Sequence, residues 1–269
     1  MRRDLEREIV GKKIKGTEVT GMRTIRRYRQ RKQFTSALDG HKILGVERKG
    51  KYLLVKLDGG DVLVIHLGMS GQLLRAASSR EAMPKHTHVV ITFTVGGQLR
   101  FVDPRTFGEM FVATVDDLAQ VEELAHLGLD PLTSNMSWDR FGALVAERHA
   151  RLKAALMDQK LLAGIGNIYS DEILFHAGLR WDRMSDSLSP EEIRRLYRAV
   201  METLQEAVKQ RGSSLADEQY VDLFGKKGSY QNFHQAYARE GEACRRCRGV
   251  IVRERVGGRS TFFCSSCQV

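Results

Sequence analysis

Apolar positions change their period once along this chain. Between residues 43 and 113 they come in short β-branched and aromatic runs broken by turn residues, and beyond Val115 they recur every three or four positions. The first pattern predicts strands at Ile43–Arg48, Tyr52–Leu57, Val62–His66, Thr87–Thr94, Gln98–Val102 and Phe107–Ala113, with Lys49-Gly50, Asp58-Gly59-Gly60 and Gly96-Gly97 as turns. Short strands at such regular spacing imply an antiparallel sandwich or barrel-like domain. Ahead of them, residues 1–14 read as an amphipathic helix with Leu5, Ile9 and Val10 on one side and Gly11 at its end, with no capping residue before Arg2. Residues 12–51 form a basic stretch in which Arg23, Arg26, Arg27, Arg29, Arg31 and Lys32 lie close together, either a solvated face or a phosphate contact.

The second half predicts helices over Trp138–Ala150, Leu152–Gln159 and about Ile168–Ala177, the last preceded by Ala163-Gly164-Ile165-Gly166-Asn167. Backbone N–H groups at that break could hold a phosphate, although a plain helix connector has the same composition. A long helix follows. Ser189 and Glu192 make a capping box around Pro190, and Ile193, Leu196, Val200, Leu204 and Val208 give it an apolar face ended by Gly212. The expected class is α+β, with an N-terminal antiparallel β-sandwich over 1–118, a linker over 119–136, a helical domain over 137–214 and a C-terminal stretch over 215–269.

All four cysteines fall in that last stretch, as Cys244-Arg245-Arg246-Cys247 and Cys264-Ser265-Ser266-Cys267, sixteen residues apart. Two such knuckles offer four thiolates to one tetrahedral zinc ion, and Val250–Val256 and Arg259–Phe263 between them read as a hairpin turning at Gly257-Gly258. So small a hairpin cannot bury its own core, and metal binding supplies its folding energy. Two disulfides are the alternative, and they belong with secretion, of which the sequence carries no sign. The charge changes the picture further: 43 Lys and Arg against 33 Asp and Glu give a net +10, and Arg245, Arg246, Arg248, Arg253, Arg255 and Arg259 crowd the cysteine module. A polyanion is the partner such a balance favours. No apolar run approaches the length of a membrane span, which points to a protein of the cytoplasm.

Two loops of the strand-rich half stand out. HLGMSG at 66–71 sets a methionine among glycines, and DPRTFG at 103–108 sets an arginine and a phenylalanine on a turn. Methionine and phenylalanine are ordinarily core residues, whereas an arginine beside an aromatic at a loop tip is what an intercalating wedge requires.

Taken with Lys51-Tyr52-Leu53, KHTH at 85–88, LMDQKLLAGIGNIYSDE at 156–172 and the two CxxC knuckles, those loops make the sequence resemble bacterial formamidopyrimidine-DNA glycosylases over essentially its whole length. The resemblance implies a β-sandwich joined to a helix-two-turn-helix domain with a zinc finger, and a monomer that binds damaged double-stranded DNA of the nucleoid. It implies a base-excision enzyme that removes oxidised purines, such as 8-oxoguanine and formamidopyrimidines, and then cuts the abasic strand. By the same resemblance Met69, Arg105 and Phe107 fill the void left by an extruded base, and His66, His86, Arg148, Lys153, Asn167 and Arg259 contact DNA. Lys51 and Arg259 assist the elimination, Cys244, Cys247, Cys264 and Cys267 bind one structural zinc, and residues 217–230 close over the lesion. Ala238 and Ala243 stand where the family has glycine and proline, and are expected to alter the loop before the first knuckle.

The sequence departs from the family at its start. Relatives begin Pro-Glu-Leu-Pro-Glu-Val-Glu and a residue or two more before Arg-Arg, and that proline and glutamate are the nucleophile and its acid/base partner. A terminal amine suits the task, because its pKa of about 8 leaves far more free base at neutral pH than a lysine near 10.4. Met1 is expected roughly 12 Å further along the helix, so a start codon assigned inside a longer gene is the favoured explanation. The alternatives are a damage-binding protein without excision activity and an endonuclease VIII-like enzyme for oxidised pyrimidines.

Overall fold

The structure, a computed structural model, describes residues 1–215 and 219–269, which form two compact units: Met1–Ala125 with Ser213–Gly228, and His126–Gly212 with Ser229–Val269.

The first unit is a sandwich of two four-stranded antiparallel sheets. Helix α1 (Arg2–Ile9) leads into β1 (Ile14–Val19), a 3-10 turn at Met22–Ile25 and α2 (Arg31–Ser36). Strands β2 (Ile43–Lys49), β3 (Tyr52–Leu57), β4 (Asp61–His66), β5 (Gln72–Ala76), β6 (Thr87–Phe93), β7 (Gln98–Val102) and β8 (Glu109–Thr114) follow, then a short α3 (Glu122–Ala125). One sheet has the order β2-β3-β4-β8 and the other β1-β6-β7-β5. Their inner faces share one core, in which Ile14, Phe34, Leu63, Ile65, Leu73, Ile91, Phe101 and Met110 are almost fully buried. Each such side chain contributes about 1.5–3 kcal/mol by leaving water.

Strands β1 and β5 and helix α2 were not anticipated from the apolar pattern. In β1 only the two ends, Ile14 and Val19, are buried, and Lys15, Gly16, Thr17 and Glu18 between them carry no alternation. Its pairing with β6 makes it a strand. In α2 a reciprocal Gln30–Gln33 capping box starts the helix, and Phe34, edge-on to Tyr28 at 5.4 Å, anchors it. Part of the basic stretch is consumed internally: Arg26 and Arg27 both lie 3.1 Å from Glu109, and the Arg27 guanidinium sits 3.6 Å from the Phe111 ring. Strand β5 is short and joins its sheet by pairing with β7. At the other end, α1 stops at Ile9, so Val10 leaves in an extended conformation and is 38% exposed, not on the apolar side. Ser213–Gly228, attached in the sequence reading to the zinc-bearing end, packs with the sandwich: Leu223 is fully buried in its core, and its carbonyl accepts from the Arg75 N–H at 2.9 Å.

The second unit is built on α4 (Trp138–Ala146), α5 (Leu152–Met157), α6 (Asn167–Ala177) and α7 (Pro190–Lys209), with β9 (Ile251–Val256) and β10 (Arg259–Cys264) as its hairpin. Phe141, Leu152, Leu156, Leu162, Ile165, Ile173, Leu174, Leu196, Val200 and Phe263 form its core. Helix α7 begins as expected, with the Ser189 hydroxyl accepting from the Glu192 N–H and the Glu192 carboxylate accepting from the Ser189 N–H at 2.9 Å. Its final turn differs, because Val208 is 48% exposed. Helix α6 is buried on nearly every side, and its C-terminus closes on Gly178 with φ of +69°. Among the described residues no helix is long and apolar enough to cross a membrane.

Removing the α7 cap tests this account of its start. Ser189→Ala should cost about 1 kcal/mol, read as a lowered midpoint in urea, and an unchanged midpoint would show that the cap is idle.

Candidate nucleic-acid interface and metal centre

In the first unit, two loops lie backbone on backbone at the ends of β4 and β7. Asp103, fully buried, ties them together: its carboxylate accepts from the Ser70 hydroxyl at 2.5 Å, the Gly108 N–H at 2.7 Å and the Arg105 N–H at 3.2 Å. The approach is too close for side chains. A Cβ on Gly68 (φ +65°) would lie 2.7 Å from the Gly108 nitrogen, and one on Gly108 would lie 2.6 Å from Phe101 Cζ and 3.0 Å from the His66 carbonyl oxygen. With their glycines turned inward, the loops send their long side chains out. Met69 is 64% and Phe107 41% exposed, and Arg105 lies 4.9 Å from the Phe107 ring. The sequence alone left the core and the wedge open for these residues, and none of the three is in the core.

Around this pair stand three more of the expected residues. His86 is exposed, holds φ of +62°, and its carbonyl accepts from the Asp103 N–H at 3.0 Å. His66, at the end of β4, has its ring 4.7 Å from that of Tyr52, the residue opposite it on β3. Burial, then the Lys51 charge, keeps its imidazole below the usual range, so it is neutral at pH 7. Lys51 is exposed in the β2–β3 turn.

In the second unit, the Gly164–Asn167 break is shaped by Gln159, whose amide donates to the Met157 and Ile165 carbonyls and accepts from the Gly164 N–H, each near 2.9 Å. Asn167 opens α6, and its Nδ2 donates to the Ser260 carbonyl at 3.1 Å. Arg259 is exposed at the hairpin tip, directly after Gly257-Gly258. Lys153 is a correction. It was expected to touch DNA, but it is 6% exposed, and its ammonium donates to Asp171 (2.7 Å), the Ser260 carbonyl (3.1 Å) and the Thr261 hydroxyl (2.9 Å). Sequence shows the charge and not its burial. Lys153, Asn167 and Arg259 thus converge around Ser260, whereas Arg148, after α4, is paired with Asp158 at 3.0 Å.

The metal centre closes the chain. The four cysteine Sγ atoms lie within 4.8 Å of one another, with Cys244–Cys267 at 3.8 Å and Cys247–Cys264 at 3.4 Å. Tetrahedral zinc with bonds of about 2.3 Å needs sulfurs about 3.8 Å apart. The set fits that ion, and the separations are far beyond the roughly 2.05 Å of a disulfide. Below it, Glu172 is fully buried on α6, and its carboxylate accepts from the N–H groups of Gln235, Ala236 and Tyr237 at 2.7, 2.9 and 2.8 Å. Burial pushes its pKa up against those bonds. The approach to the first knuckle passes through Ala238. It adopts φ of +61°, so the loop has a left-handed turn that glycine would hold without strain. The stretch expected to cover the lesion, 217–230, starts at Asp217, which lies outside the described residues; beyond it, the Asp222 carboxylate accepts from the Phe224 and Lys226 N–H groups at 2.9 Å.

Family models match three consecutive parts of the chain: the formamidopyrimidine-DNA glycosylase N-terminal domain over residues 1–110, its H2TH domain over 127–219, and the zinc finger found in FPG and IleRS over 241–269. A formamidopyrimidine-DNA glycosylase of Pelotomaculum thermopropionicum is 40% identical over 268 residues, covering 100% of this chain and 96% of that protein. The chain belongs to the formamidopyrimidine-DNA glycosylase family. A relative of the same name in Heliobacterium modesticaldum is 44% identical over 237 residues, covering 87% of this chain and 85% of that one. Among solved structures, a Lactococcus lactis Fpg complexed with DNA containing an abasic site superposes with a TM-score of 0.90 at 33% identity, covering 99% of this chain and 96% of its own. The Thermus thermophilus MutM (Fpg) protein gives 0.89 at 38% identity, with coverage of 99% and 95%. Membership agrees with the α+β class and makes the tetrathiolate site a structural zinc site.

Two outcomes are expected here. Ala238→Gly should raise stability by about 1 kcal/mol, the rough cost of a left-handed non-glycine residue, and a neutral or lowered unfolding midpoint would contradict the strain. Metal analysis should find one zinc per chain, and stripping it with a chelator should abolish DNA binding along with the β9–β10 amide signals. Full binding by metal-free protein would remove the hairpin from the interface.

Proposed function

We propose that this chain is a bifunctional DNA glycosylase and abasic-site lyase acting on oxidised purines in double-stranded DNA. The observation that carries the reading is the pair of interlocked loops in the sandwich unit. Their interior is rigid and polar, and they offer water a methionine, an arginine and a phenylalanine that fold stability does not require.

An enzyme that acts on a base must first take it out of the stack, at a cost of a few kcal/mol. Met69 and Phe107 replace the lost stacking, the first with a polarisable thioether and the second with a ring. Arg105, its guanidinium against Phe107, offers hydrogen bonds to the base left without a partner. Polar and basic side chains hold the backbone. Asn167 at the start of α6 and Arg259 at the hairpin tip take one phosphate, while His86 and Arg148 take others along the strand. Neutral His66 can donate one hydrogen bond without adding charge beside Lys51, which serves the elimination. Zinc, when bound, supplies no chemistry to the reaction; it folds the hairpin that carries Arg259.

The family's attacking group is the amine of an N-terminal proline, beside a glutamate; neither has a counterpart among these 269 residues. Here Met1 is the N-cap of α1 and its amine lies 3.6 Å from the Asp4 carboxylate. The relatives' names favour formamidopyrimidine substrates over oxidised pyrimidines. We also assign the protein to the nucleoid as a monomer, on the strength of its net charge of +10.

Excision is tested with the family's Pro-Glu segment joined ahead of Met1. Borohydride should trap that protein covalently on an abasic duplex, and a failure to trap would leave a damage-binding protein without excision chemistry. In the same background, Phe107→Ala should slow excision of 8-oxoguanine by roughly 10- to 100-fold, one to two multiples of 1.4 kcal/mol. Its melting temperature should not change, since the ring is exposed, and an unaltered rate would take Phe107 out of the wedge.

A further inference from the structure

The buried pair of Lys153 on α5 and Asp171 on α6 grips three successive residues of β10. Lys153 donates to the Ser260 carbonyl at 3.1 Å and to the Thr261 hydroxyl at 2.9 Å, while the second oxygen of Asp171 accepts from the Phe262 N–H at 2.9 Å. The grip falls immediately beyond Arg259. The Ser260 carbonyl that Lys153 holds is also the one that takes the Asn167 amide at 3.1 Å. Arg259 lies near enough for its charge to bear on Lys153.

A two-stranded hairpin is at best marginal on its own. Zinc fixes this one at its knuckles, and the Gly257-Gly258 tip, with φ of +54° and +78°, is the opposite end. Something else has to fix the tip. We propose that Asp171, acting through Lys153, is a positioning residue that sets Arg259 and Asn167 to close on one DNA phosphate; this rests on the roles given to those two residues under Proposed function.

The pair is poorly suited to serve as a stabilising element. Burial pushes the Asp171 carboxyl from 3.8 up to about 6 and pulls Lys153 down, against their mutual attraction, with Glu172 adding to the rise of Asp171. A carboxyl raised in the folded state contributes stability that is present at low pH and lost as pH rises through about 6. At neutral pH the ionised pair is therefore a cost, as buried ion pairs often are. What it supplies in return is placement: one carboxylate and one ammonium determine where residues 260–262 lie.

The test separates placement from folding. Removing one partner leaves an unpaired buried charge, so both are replaced together as Lys153→Met with Asp171→Asn, which removes both charges and keeps an acceptor for the Phe262 N–H. Thr261→Val is the milder variant, keeping the ion pair and the volume and deleting one contact of the grip. Each is assayed with and without Arg259→Ala, on a duplex containing a tetrahydrofuran abasic analogue, over a range of salt concentrations, with zinc content and melting temperature as controls.

For the double replacement we expect one zinc and parental melting, but affinity down ~10-fold and a slope of log K against log salt shallower by about one. Thr261→Val should lose ~3-fold, with Arg259→Ala costing less in either background than in the parent. If either variant folds, binds with parental affinity and slope, and still pays the full Arg259→Ala penalty, Asp171 positions nothing. Should Arg259→Ala cost nothing even in the parent, the phosphate role of Arg259 fails first and the proposal falls with it. If the double replacement does not hold zinc, Thr261→Val alone decides.

Discussion

Two neighbouring buried carboxylates organise the hairpin-bearing part of the second unit. Glu172 gathers three N–H groups of the approach to the first zinc knuckle, and Asp171 gathers Lys153 and the backbone of β10. Both charges face opposition from burial. The four cysteines allow the hairpin to exist, because an ion replaces the core that so short a segment cannot bury. The carboxylates of α6 decide where it points. On the proposed reading, folding and aiming are thus carried by different groups.

The sandwich unit solves the same problem without a metal. As the proposed wedge, Met69, Arg105 and Phe107 have to stay in water until DNA arrives, so they cannot be held by burying them. Their backbones are held instead. The buried Asp103 carboxylate satisfies three donors from two loops, and glycines at 68 and 108 let the chains touch where any Cβ would collide. Stiffness beneath the wedge limits the ordering cost that binding would otherwise carry.

Spacing made the zinc site legible in the sequence, since two CxxC knuckles flanking a Gly-Gly turn leave few alternatives. The α7 cap and most strands were equally readable, for Ser189, Pro190 and Glu192 act within one turn and the strand runs are bounded by glycines. What escaped depended on distant partners. Strand β1 buries only its two ends and is a strand because β6 lies beside it. The wedge was visible as a motif, but its exposure could not be separated from core packing until the Gly68–Gly108 contact was seen. Lys153 was matched to a DNA contact by resemblance, and its burial depends on Asp171 and β10. Asp171 and Glu172 lie on α6, Asn167–Ala177, whose polar residues are not gathered on one face that could stay wet. Acidic residues in such a segment must find donors indoors, and that signal was available from the sequence.

The central claim is that this protein opens the duplex at a damaged purine and fills the gap with side chains from the two interlocked loops. It is tested most directly by placing 2-aminopurine beside 8-oxoguanine and following its fluorescence as the protein is added. The account predicts a rise as stacking is lost, and a rise that is slower and smaller when Met69 and Phe107 are both alanine although the duplex is still bound. An equal rise with the wedge removed, or no rise from the intact protein at saturating concentration, would contradict it.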